Sequence, residues 1–169
     1  MTEPKLLEGW TNMNTYKINE NMSLIIEDTA MNKLLRYCQT GNRKEKGGIL
    51  LGRILADYSQ FFICDISEPC DKDKSGRCFF TRDKSNAQRI VNKNWIDSSG
   101  VINYLGEWHT HPEISPQPSF VDKKLIYDCL HKNDNTFDDL FLIIVGITGQ
   151  LYVGHQNRQQ NGLHQVFDL

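Results

Sequence analysis

A chain of 169 residues fits one domain and is long enough to bury a substantial core, removing about 70% of its unfolded surface from water. With 19 basic residues against 21 acidic ones the formal net charge is -2, so no global field of either sign draws in nucleic acid or an anionic membrane. No segment approaches the ~18 apolar residues of a membrane span, and the N-terminus lacks the basic start and apolar run of a secretory signal, so a soluble cytoplasmic protein is expected.

Five cysteines (Cys38, Cys64, Cys70, Cys78, Cys129) are an odd number without a Cys-x-x-Cys pair. That pattern argues against a disulfide framework and a zinc ribbon, and for reduced thiols. In chain order, "NMSLIIED" is a β-rich run ending at Asp28, a predicted N-cap for a helix with Met31, Leu34, Leu35 and Cys38 inward and Gly41 as its stop. "GGILLGRIL" and "QFFICDISEP" read as adjacent strands, and "CDKDKSGR" as a polar turn or loop leading into "CFFTRD". A second helix is predicted from Ser85 to about Trp95, with Ala87, Ile90 and Val91 inward and "SSG" at its end. "VINYLGEWHTH" reads as a strand that Pro112, Pro116 and Pro118 prevent from continuing. A third helix follows, with Val121, Leu125, Cys129 and Leu130 on its buried face, and "FLIIVGI", "LYVGH" and "LHQVFDL" close the chain as strands. The fold class is mixed α/β, a largely antiparallel sheet flanked by about three helices.

The chemistry concentrates in "GEWHTHPEISPQPSFVD". Strand residues i and i+2 share a face, so His109 and His111 can present two imidazoles to one point. Asp122 arrives from the first turn of the next helix and offers a hard third ligand. Two histidines and one carboxylate leave a fourth tetrahedral position for water, the arrangement of catalytic rather than structural zinc. The same letters also spell a helix start: Ser119 as cap and Asp122 at N3 answer the capping-box pattern.

His109-x-His111, seven residues, then Ser119-x-x-Asp122 resembles the full H-x-H-x7-S-x-x-D signature of the JAMM (JAB/MPN) zinc metalloproteases. That family adds one upstream glutamate just before a Gly-rich apolar strand, and "KEKGGILLGR" offers Glu45 there. The resemblance covers most of residues 20 to 155 and implies a single cytidine-deaminase-like JAB/MPN domain over residues 1–169. It further implies a Zn2+ ion on His109, His111 and Asp122, Glu45 as general base then general acid, and Ser119 as a hydrogen-bond donor to the oxyanion. Glu107 and Glu113 are rivals for the base, and Glu107, on the strand face of the histidines, is alternatively a partner that orients an imidazole. Trp108 and Thr110 face the other way, the tryptophan into the core.

Members of the family cut isopeptide or peptide bonds after the C-terminal tail of ubiquitin or a ubiquitin-like modifier. "GGILLGR" and "GEWHTHP" are similar to the compact bacterial JAB branch, and within it to deconjugating proteases of antiphage systems such as CBASS, where the conjugate is a nucleotidyltransferase (CD-NTase). The expected partner is therefore a ubiquitin-like modifier or its protein conjugate. The short loop "NDNTFDD" departs from linkage-specific relatives by leaving little room for their second insertion, and "CDKDKSGRC" is the better candidate for a substrate contact. Two other readings stand beside this one: trimming of a ubiquitin-like sulfur-carrier precursor, and a non-catalytic MPN scaffold.

Overall fold

The computed structural model describes residues 14–132 and 137–169. Its elements are β1 (Asn14–Lys17), β2 (Ser23–Ile26), α1 (Asp28–Leu35), β3 (Gly47–Ile54), β4 (Gln60–Ile66), β5 (Lys74–Gly76), β6 (Phe79–Thr81), α2 (Lys84–Asp97), β7 (Asn103–Thr110), α3 (Phe120–Lys132), β8 (Asp139–Val145), β9 (Leu151–Asn157), β10 (His164–Gln165) and β11 (Phe167–Asp168). Nine strands form one sheet in the order β10-β9-β8-β7-β3-β4-β2-β1-β11, parallel only at β2/β4 and β7/β8, and β5/β6 is a separate hairpin. The expected mixed, largely antiparallel sheet with three helices is what forms.

β8 reads DLFLIIV and is buried along its whole length, the near-continuous apolar run of a strand covered on both faces. One face carries Leu50, Phe61, Ile63, Leu105, Trp108, Phe141 and Val153 against Leu34 of α1. The other carries Leu140, Leu142 and Ile144 against Ile126 and Leu130 of α3, with Ile49 and Leu51 against Ala87 of α2. No helix of the described residues is long and apolar enough to cross a membrane.

Several local expectations are corrected. α1 begins one residue earlier in the sense of capping: Glu27, with no side-chain cap bond, is the N-cap and Asp28 is already helical. Of the residues expected inward, Leu34 is buried and Met31 and Cys38 pack against the same core, with Ala30 buried beside them, whereas Leu35 is 39% exposed. α3 buries Ile126, Cys129 and Leu130, turning Val121 (71% exposed) and Leu125 outward, since its first turn must deliver Asp122 instead of packing on the sheet. "CDKDKSGRC" is no plain loop, for Lys74–Gly76 pairs with Phe79–Thr81. "LHQVFDL" is not one strand: β10 pairs with β9 at one edge and β11 with β1 at the other, so the sheet curls until its two edges meet around Val166. β1 carried no recognised sequence signal. Part of the loop "NDNTFDD", residues 133–136, lies outside the described residues, as do residues 1–13.

Candidate metal centre

β7 is set by one glycine. Gly106 has φ 141°, and a Cβ there would stand 1.9 Å from the Phe141 carbonyl oxygen on β8, so only glycine lets the two strands approach. The β3/β7 register shifts at this point, from Leu50 opposite Gly106 to Leu51 opposite Tyr104. The bulge changes which residues share a face. Tyr104 before it and Glu107, His109 and His111 after it all look toward α2 and α3, while Trp108 is buried toward α1 with its Nε1 donating to the Ser67 carbonyl, 3.1 Å.

Beyond the strand, the His111 amide still donates to the Val145 carbonyl, and the Ile147 amide donates to the Glu113 carbonyl, 2.8 Å. These bonds hold the proline-broken loop against β8. They bring the chain to Ser119, whose Oγ accepts from the Asp122 amide, 3.2 Å, while its own amide donates to Asp122 Oδ2, 2.7 Å. The helix-cap reading and the ligand reading of Ser-x-x-Asp are thus both realised in one reciprocal capping box.

The three expected ligands converge. His109 Nε2 lies 3.0 Å from His111 Nε2 and 3.2 Å from Asp122 Oδ1, and His111 Nε2 lies 3.5 Å from Asp122 Oδ2. A tetrahedral ion with ligand bonds of 2.0–2.1 Å separates its donors by about 3.3 Å. The set therefore fits such an ion in spacing as well as in chemistry, two neutral imidazole nitrogens and one carboxylate. Among the described residues this is the one group of three or more His, Cys, Asp or Glu whose ligand atoms cluster. Burial raises the Asp122 pKa, but hydrogen bonds from His109, His111 and Ser119 outweigh it and hold the carboxylate well below its usual range.

Glu45 comes from the residues just before β3. Gly47 pairs with His109, and the Thr110 amide donates to the Lys46 carbonyl, so the ladder extended by one pair sets Glu45 opposite His111. Glu45 is 4% exposed, and its amide donates to the Gly76 carbonyl of the hairpin, 2.8 Å. Burial pushes its carboxyl up to about 7, with His111 drawing it down and Asp122 and Glu113 adding to the rise. Gly47, between Glu45 and Ile49 on that face, leaves room that the Phe80 ring fills, 2.5 Å from where a Cβ would stand.

The two rival glutamates are placed differently. Glu107 is 3% exposed and held by Arg82, whose Nε and Nη2 donate at 2.9 and 2.7 Å, and by the Tyr104 hydroxyl, 2.8 Å. Glu113 lies outside, its carboxylate accepting from the Gln117 amide and 3.7 Å from His111 Nδ1. Sequence reasoning did not find Arg82 or the buried Gln39, which holds Thr110; neither stands in a motif.

The profile of the prokaryotic homologues of the JAB domain matches residues 28–159. A Vibrio cholerae serotype O1 protein named CD-NTase/cGAS isopeptidase is 32% identical over 145 residues, 85% of this chain and 88% of that protein. An Escherichia coli protein of the same name is 40% identical over 106 residues, 62% of this chain and 66% of its own. The solution structure of a Desulfitobacterium hafniense protein aligns over 84% of this chain with a TM-score of 0.58 at 18% identity, a likeness of fold. With the match running from α1 to the end of β9 and so including Glu45 and every expected ligand, the chain belongs to the prokaryotic homologues of the JAB domain.

Proposed function

We propose that the whole chain acts as one zinc-dependent isopeptidase domain that cuts a lysine conjugate after the C-terminal tail of a ubiquitin-like modifier. The convergence of His109, His111 and Asp122, with Glu45 across from His111, carries this reading. Zinc held by the three side chains would supply Lewis acidity at the scissile carbonyl and to water. Glu45, buried and with a pKa near neutrality, is suited to accept the proton of the attacking water and to deliver it to the departing lysine amine. The Ser119 oxygen already accepts the Asp122 amide, which leaves its O–H free to donate to the developing oxyanion.

The names of the relatives favour a CD-NTase conjugate as the substrate, and with it a role in antiphage defence of the CBASS type. Five cysteines outside any disulfide agree with work in a reducing cytoplasm. The test offers the enzyme a linear fusion and a lysine conjugate of one ubiquitin-like protein, with and without a zinc chelator. Preferential, chelator-sensitive cleavage of the conjugate is expected. Preferential cleavage of the linear fusion would favour carrier maturation, and a zinc-loaded chain inert on its natural conjugate would favour the scaffold.

A further inference from the structure

Gln39 sits in the irregular segment after α1, 2% exposed, with its amide nitrogen and oxygen both bonded to the segments that carry the candidate catalytic residues. Its Nε2 donates to the Arg43 carbonyl and to the Arg77 carbonyl, both at 2.8 Å. Its Oε1 accepts from the Thr110 hydroxyl, 3.2 Å. Each partner lies beside a residue of the site. Arg43 is two residues before Glu45, Thr110 stands between the two histidines, and Arg77 follows Gly76, whose carbonyl takes the Glu45 amide. Thr110 Oγ1 also accepts from the Lys46 amide, 3.0 Å, so the histidine strand and the Glu45 segment are bonded from both sides.

We infer that Gln39 is a positioning residue that fixes Glu45 relative to the histidine pair by tying the Glu45 segment, the β5/β6 hairpin and β7 to one buried amide group. The inference rests on the reading of Glu45 as the base. Glu45 lies just before β3, its own amide bonded to Gly76 of the hairpin and the next residue, Lys46, bonded to Thr110 of β7, so Gln39 ties together the two neighbours that hold it. A base that must meet a water and later an amine loses rate steeply when it wanders by a fraction of an ångström. A residue important only for folding would lower stability and zinc content but not the turnover of the molecules that remain folded and loaded.

The experiment compares wild type, Gln39→Met, Glu45→Ala and the double variant, each brought to one zinc per chain, on a lysine conjugate of a ubiquitin-like protein. Gln39→Met keeps size and removes all three bonds. Its kcat should fall roughly 10- to 100-fold with KM little changed. The double variant should be no slower than Glu45→Ala, because the first residue acts through the second. Amide hydrogen exchange in the metal-free protein supplies an independent reading, in which the Glu45 N–H exchanges faster in Gln39→Met than in wild type. Should the methionine variant not fold, Gln39→Asn, which stays neutral and polar but is too short to reach all three partners, serves for the same readings. Wild-type kcat and exchange in a Gln39 variant, beside an inactive Glu45→Ala, would overturn this inference alone. Wild-type turnover by Glu45→Ala would overturn the base assignment and the inference with it.

Discussion

His109 and His111 can share an ion because a strand repeats every two residues, and Asp122 can join them because a capping box points its carboxylate back toward the strand. Ser119 caps the helix and is proposed to donate to the oxyanion, two duties that a substitution can separate. Glycine caps a helix nearly as well as serine, costing only a few tenths of a kcal/mol, but has no hydroxyl. Ser119→Gly is expected to keep its urea midpoint and its zinc while losing roughly 10²-fold in kcat. An unchanged kcat would remove Ser119 from the oxyanion. The motif spacing made four of the five candidate site residues legible, since spacing is what a strand and a helix start impose. Glu45 was legible only by resemblance, because its relation to His111 is a pairing between strands far apart in sequence. Gln39 was not legible at all, for a single glutamine in an irregular segment has no periodicity to reveal what its amide meets.

At the scale of elements, Gly106 shows why a correct strand prediction still leaves faces unknown. Strict alternation would put Tyr104 and Glu107 on opposite faces, yet the bulge brings them into a hydrogen bond of 2.8 Å. Glu107 then meets Arg82 rather than, among the described contacts, an imidazole, and the pair ties the β6–α2 junction to the strand that carries the histidines. Both groups are largely withdrawn from water, 20% and 3% exposed at their side chains. Removing the guanidinium leaves a buried carboxylate with the tyrosine as its remaining described partner. Arg82→Ala should lower unfolding free energy by about 3–5 kcal/mol, read from urea denaturation. A loss below about 1 kcal/mol would mean that Glu107 is not left as an uncompensated buried charge. The misread face of α3 has a related origin, since its first turn carries the capping box with Asp122 and leaves Val121 and Leu125 exposed.

The whole molecule is a curled sheet closed through its last residues, with α1 on one face and α2 and α3 on the other. One contribution to pH-dependent stability is expected away from the candidate metal ligands. Burial works to raise the Asp139 pKa, but hydrogen bonds from His155 (2.7 Å) and Asn157 (2.9 Å) hold it below the usual carboxylate range. A depressed carboxylate contributes stability above its unfolded value of about 3.9, and that contribution is lost as pH falls through the folded value. Asp139→Asn should therefore flatten the loss of thermal stability below pH about 4 relative to wild type, and an identical acid limb would refute the assignment.

Base, oxyanion donor and positioning residue all presuppose an ion between His109, His111 and Asp122. The most direct measurement is zinc content per chain, for the purified wild type and for His109→Ala, after dialysis against the same zinc buffer. One zinc per wild-type chain and little or none in the folded variant is the expected result. Equal zinc in both, or none in a folded wild type, would contradict the site from which the proposed chemistry is built.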